Sequence, residues 1–192
     1  MSDQDISAYD GNHQVQQLPG YDPNDALRGG ELAITTLDRF ALLCGISTEH
    51  TPTALHLQVM SQDSTTSRVT PSPYLPAIHY INNHYVVSCQ RNGRIVLYDS
   101  LHNSQRVQQV LPQLKYLYQG VSDDASNVEY SVPQSQGTTS DCGLFAAANA
   151  TMLIRGIDPK KVTLDTQQLR SHLHHCLQTG QVNMFPEVPI IL

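Results

Sequence analysis

Residues 84–99 read HYVVSCQRNGRIVLYD, two runs rich in Val, Ile and Tyr on either side of Asn92-Gly93. Asn-Gly between such runs is the strongest short-range signal for a two-residue β-hairpin turn. With that turn Arg91 faces Arg94, so paired positions sum to 185. His84 and Asp99 sum to 183, an offset of two, which keeps both side chains on one face as diagonal neighbours about 7–8 Å apart at the backbone. An imidazole and a carboxylate so placed can hydrogen-bond, which fixes the ring tautomer and stabilises the imidazolium.

Outward from the hairpin, Tyr74–Ile81 reads as a third strand and 127–132 as a fourth, with a possible short strand at 56–60. Leu32, Ile34, Leu37, Phe40, Ala41 and Cys44 recur mostly at three- and four-residue steps and predict an amphipathic helix over 31–44, closed by Gly45. A second helix is expected around Ser104–Tyr118, with Pro112 inside it as a potential kink. A third runs from Cys142 to Gly156, and a fourth over 166–177 carries Leu169, Leu173 and Leu177 on one stripe. Helices and strands in this order predict an α+β fold rather than βαβ units.

The whole chain has 192 residues, 40% hydrophobic and 15% charged, enough for one domain with a real core. Residues 1–24 are polar, without apolar period, and are expected to form a flexible tail ahead of a single domain at 25–192. No run reaches the roughly 18 apolar residues of a membrane span, and the polar N-terminus is unlike a signal peptide. A net charge of −6 argues against nucleic acid. Cys44, Cys89, Cys142 and Cys176 form no CxxC, so free thiols and an intracellular setting are expected.

The segment TTSDCGLFAAANA, 138–150, places one of those thiols at the start of an alanine-rich helix, with Ser140 or Asp141 as the cap. The positive end of the helix dipole favours a thiolate there, Gly143 is expected to keep the surface beside it open, and a buried helix holds it rigidly, as nucleophilic catalysis requires. From this segment alone a structural cysteine is an equal reading.

Taken together, NHYVVSC, IVLYDSL and QGTTSDCGLF resemble the Ulp1/adenain-like cysteine peptidases, which process SUMO, NEDD8, ubiquitin or viral precursors. His84, Asp99 within YDSL, Gln136 six positions before Cys142, and Asp141-Cys142-Gly143 fall in the family's order and spacing. The stretch from DCGLF through Arg170–Cys176 to Phe185-Pro186 is most similar to proteases of this type in animal transposon-like genes. The resemblance implies a papain-like fold with the central helix packed on a mostly antiparallel sheet. It implies Cys142 as nucleophile, His84 as general base, Asp99 as its orienting group and Gln136 as oxyanion donor, with Gln134 the rival on the same strand parity. It sets Tyr85, Asp141 and Gly143 beside the substrate. Where the family carries Trp after the catalytic His, this chain has Tyr85 and no Trp at all, so its ring is expected to roof the channel.

The implied reaction is hydrolysis after the terminal Gly-Gly of a ubiquitin-like modifier, by a monomer without metal or cofactor. Ubiquitin and NEDD8 stand slightly ahead of SUMO, because the Trp is missing. A polyprotein protease and a silent modifier-binding module are the alternatives. His79 is a competing base, five residues before His84. His172 and Cys176, one helical turn apart, are a conceivable metal pair. Leu27-Arg28-Gly29-Gly30 spells the ubiquitin C-terminal tetrapeptide, most simply by coincidence. The Asn149-Ala150-Thr151 sequon falls in a helix expected to be buried, hence silent.

Overall fold

The computed structural model describes residues 20–46, 54, 57–58 and 75–188. Four strands, β1 (Ala77–Tyr80), β2 (Tyr85–Arg91), β3 (Arg94–Tyr98) and β4 (Val128–Ser131), form one sheet in the order β1-β2-β3-β4. The first two pairings are antiparallel and β3–β4 is parallel. Arg91 pairs with Arg94 and Val87 with Tyr98, the register that the Asn92-Gly93 turn predicts. Asn92 and Gly93 both take positive φ, as the twist of such a turn demands. A second turn of the same kind, Asn82-Asn83 with φ of 49° and 56°, joins β1 to β2. Asparagine tolerates this conformation because its short amide can satisfy nearby backbone.

Strand alternation sorts the side chains into two cores. Ile78, Tyr85, Val87, Cys89, Val96 and Tyr98 face α1 (Ile34–Leu43), α3 (Cys142–Ile154) and α4 (Leu169–Thr179). Ala77, Val86, Ile95 and Leu97 face α2 (Arg106–Leu117). The architecture is therefore α+β, with a sheet covered on both faces. The helix through Pro112 is continuous, and no kink is needed. Pro112 and Gln108, the residue whose carbonyl a proline at 112 cannot serve, are both exposed.

Helix α3 is apolar all round and buried from Cys142 to Leu153, as the central element of a core must be. Asn149 and Thr151 of the sequon are buried within it, at 2% and 1% exposure. Leu169, Leu173 and Leu177 of α4 point into the same core, and Gly180, at φ 70°, ends that helix. Most of the expected short strand at 56–60 lies outside the described residues, but Leu57 and Gln58 are helical rather than extended. Leu57 is fully buried in the α2-side core, so its apolarity reflects packing rather than strand pairing. All four cysteines are free.

Ahead of α1 the chain makes a 3-10 turn, Asp25–Leu27, and then a strap, residues 28–33. Ala33, at the N-cap of α1, has no capping side chain. Asp25 supplies one from a distance, accepting from Ala33 N at 2.9 Å and Thr36 Oγ1 at 2.6 Å. The strap is bound to the start of α3 by Arg170 of α4. Its guanidinium donates to the carbonyls of Arg28 and Gly30 and to Asp141 Oδ1, each at 2.6 Å. Of Leu27-Arg28-Gly29-Gly30, Leu27 ends the 3-10 turn and the other three open the strap, where the Arg28 side chain pairs with Asp22.

Candidate active site

His84 follows the Asn82-Asn83 turn, and Asp99 directly follows the end of β3. The imidazole Nε2 lies 2.6 Å from Asp99 Oδ1, with the two side chains 3% and 0% exposed. Burial works against a charged ring here. Hydrogen bonds to Asp99 and to the Cys142 thiol, and the charges on both, outweigh it and hold the His84 pKa above its ordinary value. With Nε2 committed to Asp99, Nδ1 is the ring atom left for the sulfur. Cys142 is the first residue of α3 and is 4% exposed. The structure thus brings the three expected residues together.

Asp99 is held from three further directions. Its Oδ1 accepts from Leu101 N at 2.9 Å, and its Oδ2 accepts from Tyr130 Oη at 3.1 Å. Arg106 Nε lies 3.7 Å from Oδ2 with no hydrogen-bond partner of its own. Burial, then the Asp99 charge, pushes the Tyr130 phenol up to about 12, so it remains a donor. Sequence reasoning missed Arg106 and Tyr130. They belong to α2 and β4, and no local pattern ties either to position 99.

Gln136 and its rival Gln134 separate clearly. Gln134 is spent on backbone, accepting from Leu164 N at 2.6 Å and donating to Leu164 O at 3.2 Å. Gln136 is anchored to the residue after Asp99: its N–H donates to Ser100 O, and its Oε1 accepts from Ser100 Oγ at 2.7 Å. This fixes the amide so that its nitrogen is the outward donor. One hydrogen goes to Thr139 O at 2.6 Å, and the second remains available.

The three residues expected beside the substrate differ from expectation in detail. Asp141 is the N-cap of α3, yet its side chain makes no cap hydrogen bond and goes to Arg170 instead. Gly143 does not leave an open surface. A Cβ there would lie 3.0 Å from Leu32 Cδ1 and 3.2 Å from Leu32 Cβ, so glycine lets the strap approach without displacing Leu32. Tyr85 does not form an open roof either. Its side chain is 1% exposed, and its hydroxyl donates to Leu32 O at 2.9 Å, holding the strap from below.

The other candidates have structural partners. His79 is fully buried, with Nδ1 3.0 Å from Gln113 Oε1 and Nε2 2.6 Å from Ser88 Oγ. His172 Nε2 is 3.5 Å from Cys176 Sγ and 3.2 Å from Asn183 O, and its ring packs on Phe185. Among the described residues no group of three or more metal-ligating side chains occurs, and no helix is long and apolar enough to cross a membrane.

A helix-borne thiol facing an imidazole–carboxylate pair at the end of a sheet is the arrangement of the cysteine peptidases. Residues 70–176, more than half of the chain, match the model of the Ulp1 protease family, C-terminal catalytic domain, and the chain belongs to that family. A search of curated proteins finds no match. Among solved structures the chain is similar to the C-terminal Ulp1 protease domain in complex with Smt3, the yeast ortholog of SUMO. That match has a TM-score of 0.61 and 15% identity over 83% of this chain and 81% of the other. It is also similar to Ulp1 with its catalytic cysteine oxidised to a sulfonic acid, at TM-score 0.62 and 14% identity over 82% of each chain. The Ulp1-like SUMO protease catalytic domain of Chaetomium thermophilum gives TM-score 0.52 and 18% identity, over 80% of this chain and 74% of that one. At these identities the likeness concerns the fold.

Proposed function

We propose that this protein is a thiol protease that hydrolyses the peptide or isopeptide bond after the C-terminal Gly-Gly of a ubiquitin-like modifier. The observation that carries the reading is the buried His84–Asp99 pair at 2.6 Å, with the Cys142 thiol at the start of α3 among the groups that raise the imidazole's pKa. In the proposed cycle His84 takes the Cys142 proton as the sulfur attacks the scissile carbonyl. It then gives that proton to the leaving amine as the carbon–nitrogen bond breaks, leaving a thioester. Water, deprotonated by His84, attacks the thioester and frees the modifier's carboxylate, and the thiol is restored. Asp99 holds the ring's tautomer, itself fixed by Tyr130 and the Leu101 amide. The free hydrogen of the Gln136 amide and the Cys142 backbone N–H stabilise the oxyanion.

The structural relatives described as SUMO proteases make SUMO a substrate to test. The absence of Trp is the reason to test ubiquitin and NEDD8 beside it. A panel of these modifiers, each carrying a C-terminal propargyl electrophile, tests the reading. At least one should form an adduct that maps to Cys142 and is lost in Cys142→Ala. If no modifier reacts while short Gly-rich peptides are cut efficiently, a polyprotein protease is the better account.

A further inference from the structure

The strap supplies one wall of the approach to Cys142, since Leu32 lies against Gly143 and its carbonyl is tied to Tyr85, the residue after His84. Glu31, the residue before Leu32, is exposed on that wall. Its Oε1 accepts from Tyr80 Oη at 3.2 Å, and the same hydroxyl lies 3.2 Å from Asn83 Oδ1. The Tyr80 ring packs on Tyr85 at a centroid distance of 4.7 Å. A phenol has one hydrogen, so a carboxylate and an amide oxygen converge here on a single shared donor. Among the described residues no cation pairs with Glu31, and the strap's own Arg28 is turned to Asp22. A surplus of acceptors at the mouth of a cleft suits a multidentate cation such as a guanidinium.

Glu31 lies beside the path of a substrate tail, since the next residue, Leu32, packs against Gly143, the neighbour of Cys142. Burial first, then the Glu31 carboxylate, then the Cys142 sulfur all raise the Tyr80 phenol, so one hydroxyl senses both the carboxylate and the reacting atom. An extended tail rises about 3.3 Å per residue, which puts the third residue from its end about 7 Å from the attacked carbon. Of the side chains that position could carry, a long basic one has both the reach and the charge to meet a carboxylate on the strap.

We propose that Glu31, with Tyr80 and Asn83, selects modifiers whose tail carries a basic side chain at the third residue from the end, immediately before Gly-Gly. This rests on the protease reading above and names the tail chemistry that such an enzyme prefers. The test compares hydrolysis of Leu-Arg-Gly-Gly and Leu-Gln-Gly-Gly aminomethylcoumarin amides by wild type, Glu31→Gln and Glu31→Lys. Glu31 is exposed, so neither substitution disturbs packing. The wild type should favour the Arg peptide about two- to fivefold in kcat/KM at low ionic strength, the range of a rim ion pair that salt can screen. Glu31→Gln should bring the ratio close to one, mainly through KM on the Arg peptide, and Glu31→Lys should invert it. A wild-type ratio of one, or a preference that survives Glu31→Gln, overturns the proposal. If neither peptide is cut and Cys142 alkylates no faster than the other cysteines, the protease reading itself has failed, and this inference falls with it.

Discussion

His79 and His84 lie five residues apart on one hairpin, both almost fully buried and both hydrogen-bonded, yet they are pushed in opposite directions. His79 has only neutral partners. Its Nδ1 donates to Gln113 Oε1, while Gln113 Nε2 donates to Tyr80 O, and its Nε2 accepts from Ser88, which also bonds Tyr118. Desolvation dominates, and the pKa falls from 6.5 to about 4. His84 faces a carboxylate and a sulfur, and its pKa rises despite burial. Burial alone therefore does not distinguish a structural histidine from a functional one. The charge of the partner does.

Exchanging the roles gives the largest expected effect. His84→Ala should abolish turnover by removing the proton carrier, whereas His79→Gln should keep kcat/KM within about threefold and lose stability instead, because a buried network is broken. An active His84→Ala enzyme beside a dead His79→Gln would reverse the comparison. Next in size is the carboxylate that separates the two rings. Asp99→Asn should lower kcat about a hundred- to ten-thousandfold with little change in KM, since it acts on tautomer and imidazolium rather than on remote binding. Steady-state kinetics on a reactive modifier substrate separate the two parameters.

The two rings also make opposite contributions to acid stability. The folded pKa of His79 is depressed, so its contribution is complete above 6.5 and is lost as pH falls towards 4. A shift of that size is on the order of 3 kcal/mol. His84 is raised, so its contribution is present below 6.5 and fades as pH climbs through its folded value. Urea midpoints measured between pH 7 and 4 should fall steeply in wild type and more gently in His79→Gln. Equal slopes would mean that His79 is not held neutral.

The hairpin carrying His84 and Asp99 was legible because a two-residue Asn-Gly turn fixes register arithmetic, and every later contact in the pair follows from it. The helix at Cys142 was legible from its composition and its place in the Asp141-Cys142-Gly143 string. The order of His84, Asp99, Gln136 and Cys142 pointed to the family whose catalytic domain residues 70–176 match. The strap was not legible. Its attachments run from Arg170 to Arg28 and Gly30, about 140 residues away in sequence, and from Tyr85 to Leu32. Backbone carbonyls accept from any donor, so such contacts leave no residue pattern at the accepting end. Gly143 carried a signal, but a glycine alone does not distinguish open space from close approach, and here it admits Leu32.

The smallest effect belongs to that strap. Tyr85→Phe keeps the ring in the core but removes the donor to Leu32 O, a loss of about 1 kcal/mol. Its melting temperature should drop by a few degrees, and KM should rise more than kcat falls as the wall beside Cys142 loosens. An unchanged KM would show that the strap does not shape the approach to the thiol.

All of these expectations depend on one thiol out of four being made nucleophilic by its neighbours. Burial pushes Cys89 up to about 11 and also raises Cys44 and Cys176, whereas Cys142 has His84 against it. Site-resolved alkylation by iodoacetamide at pH 7, read by peptide mass spectrometry, compares them in one experiment. Cys142 should be labelled first in wild type, and its rate should fall sharply in His84→Ala while the other three stay unchanged. Labelling of Cys44, Cys89 or Cys176 ahead of Cys142, or a Cys142 rate indifferent to His84, would contradict the account.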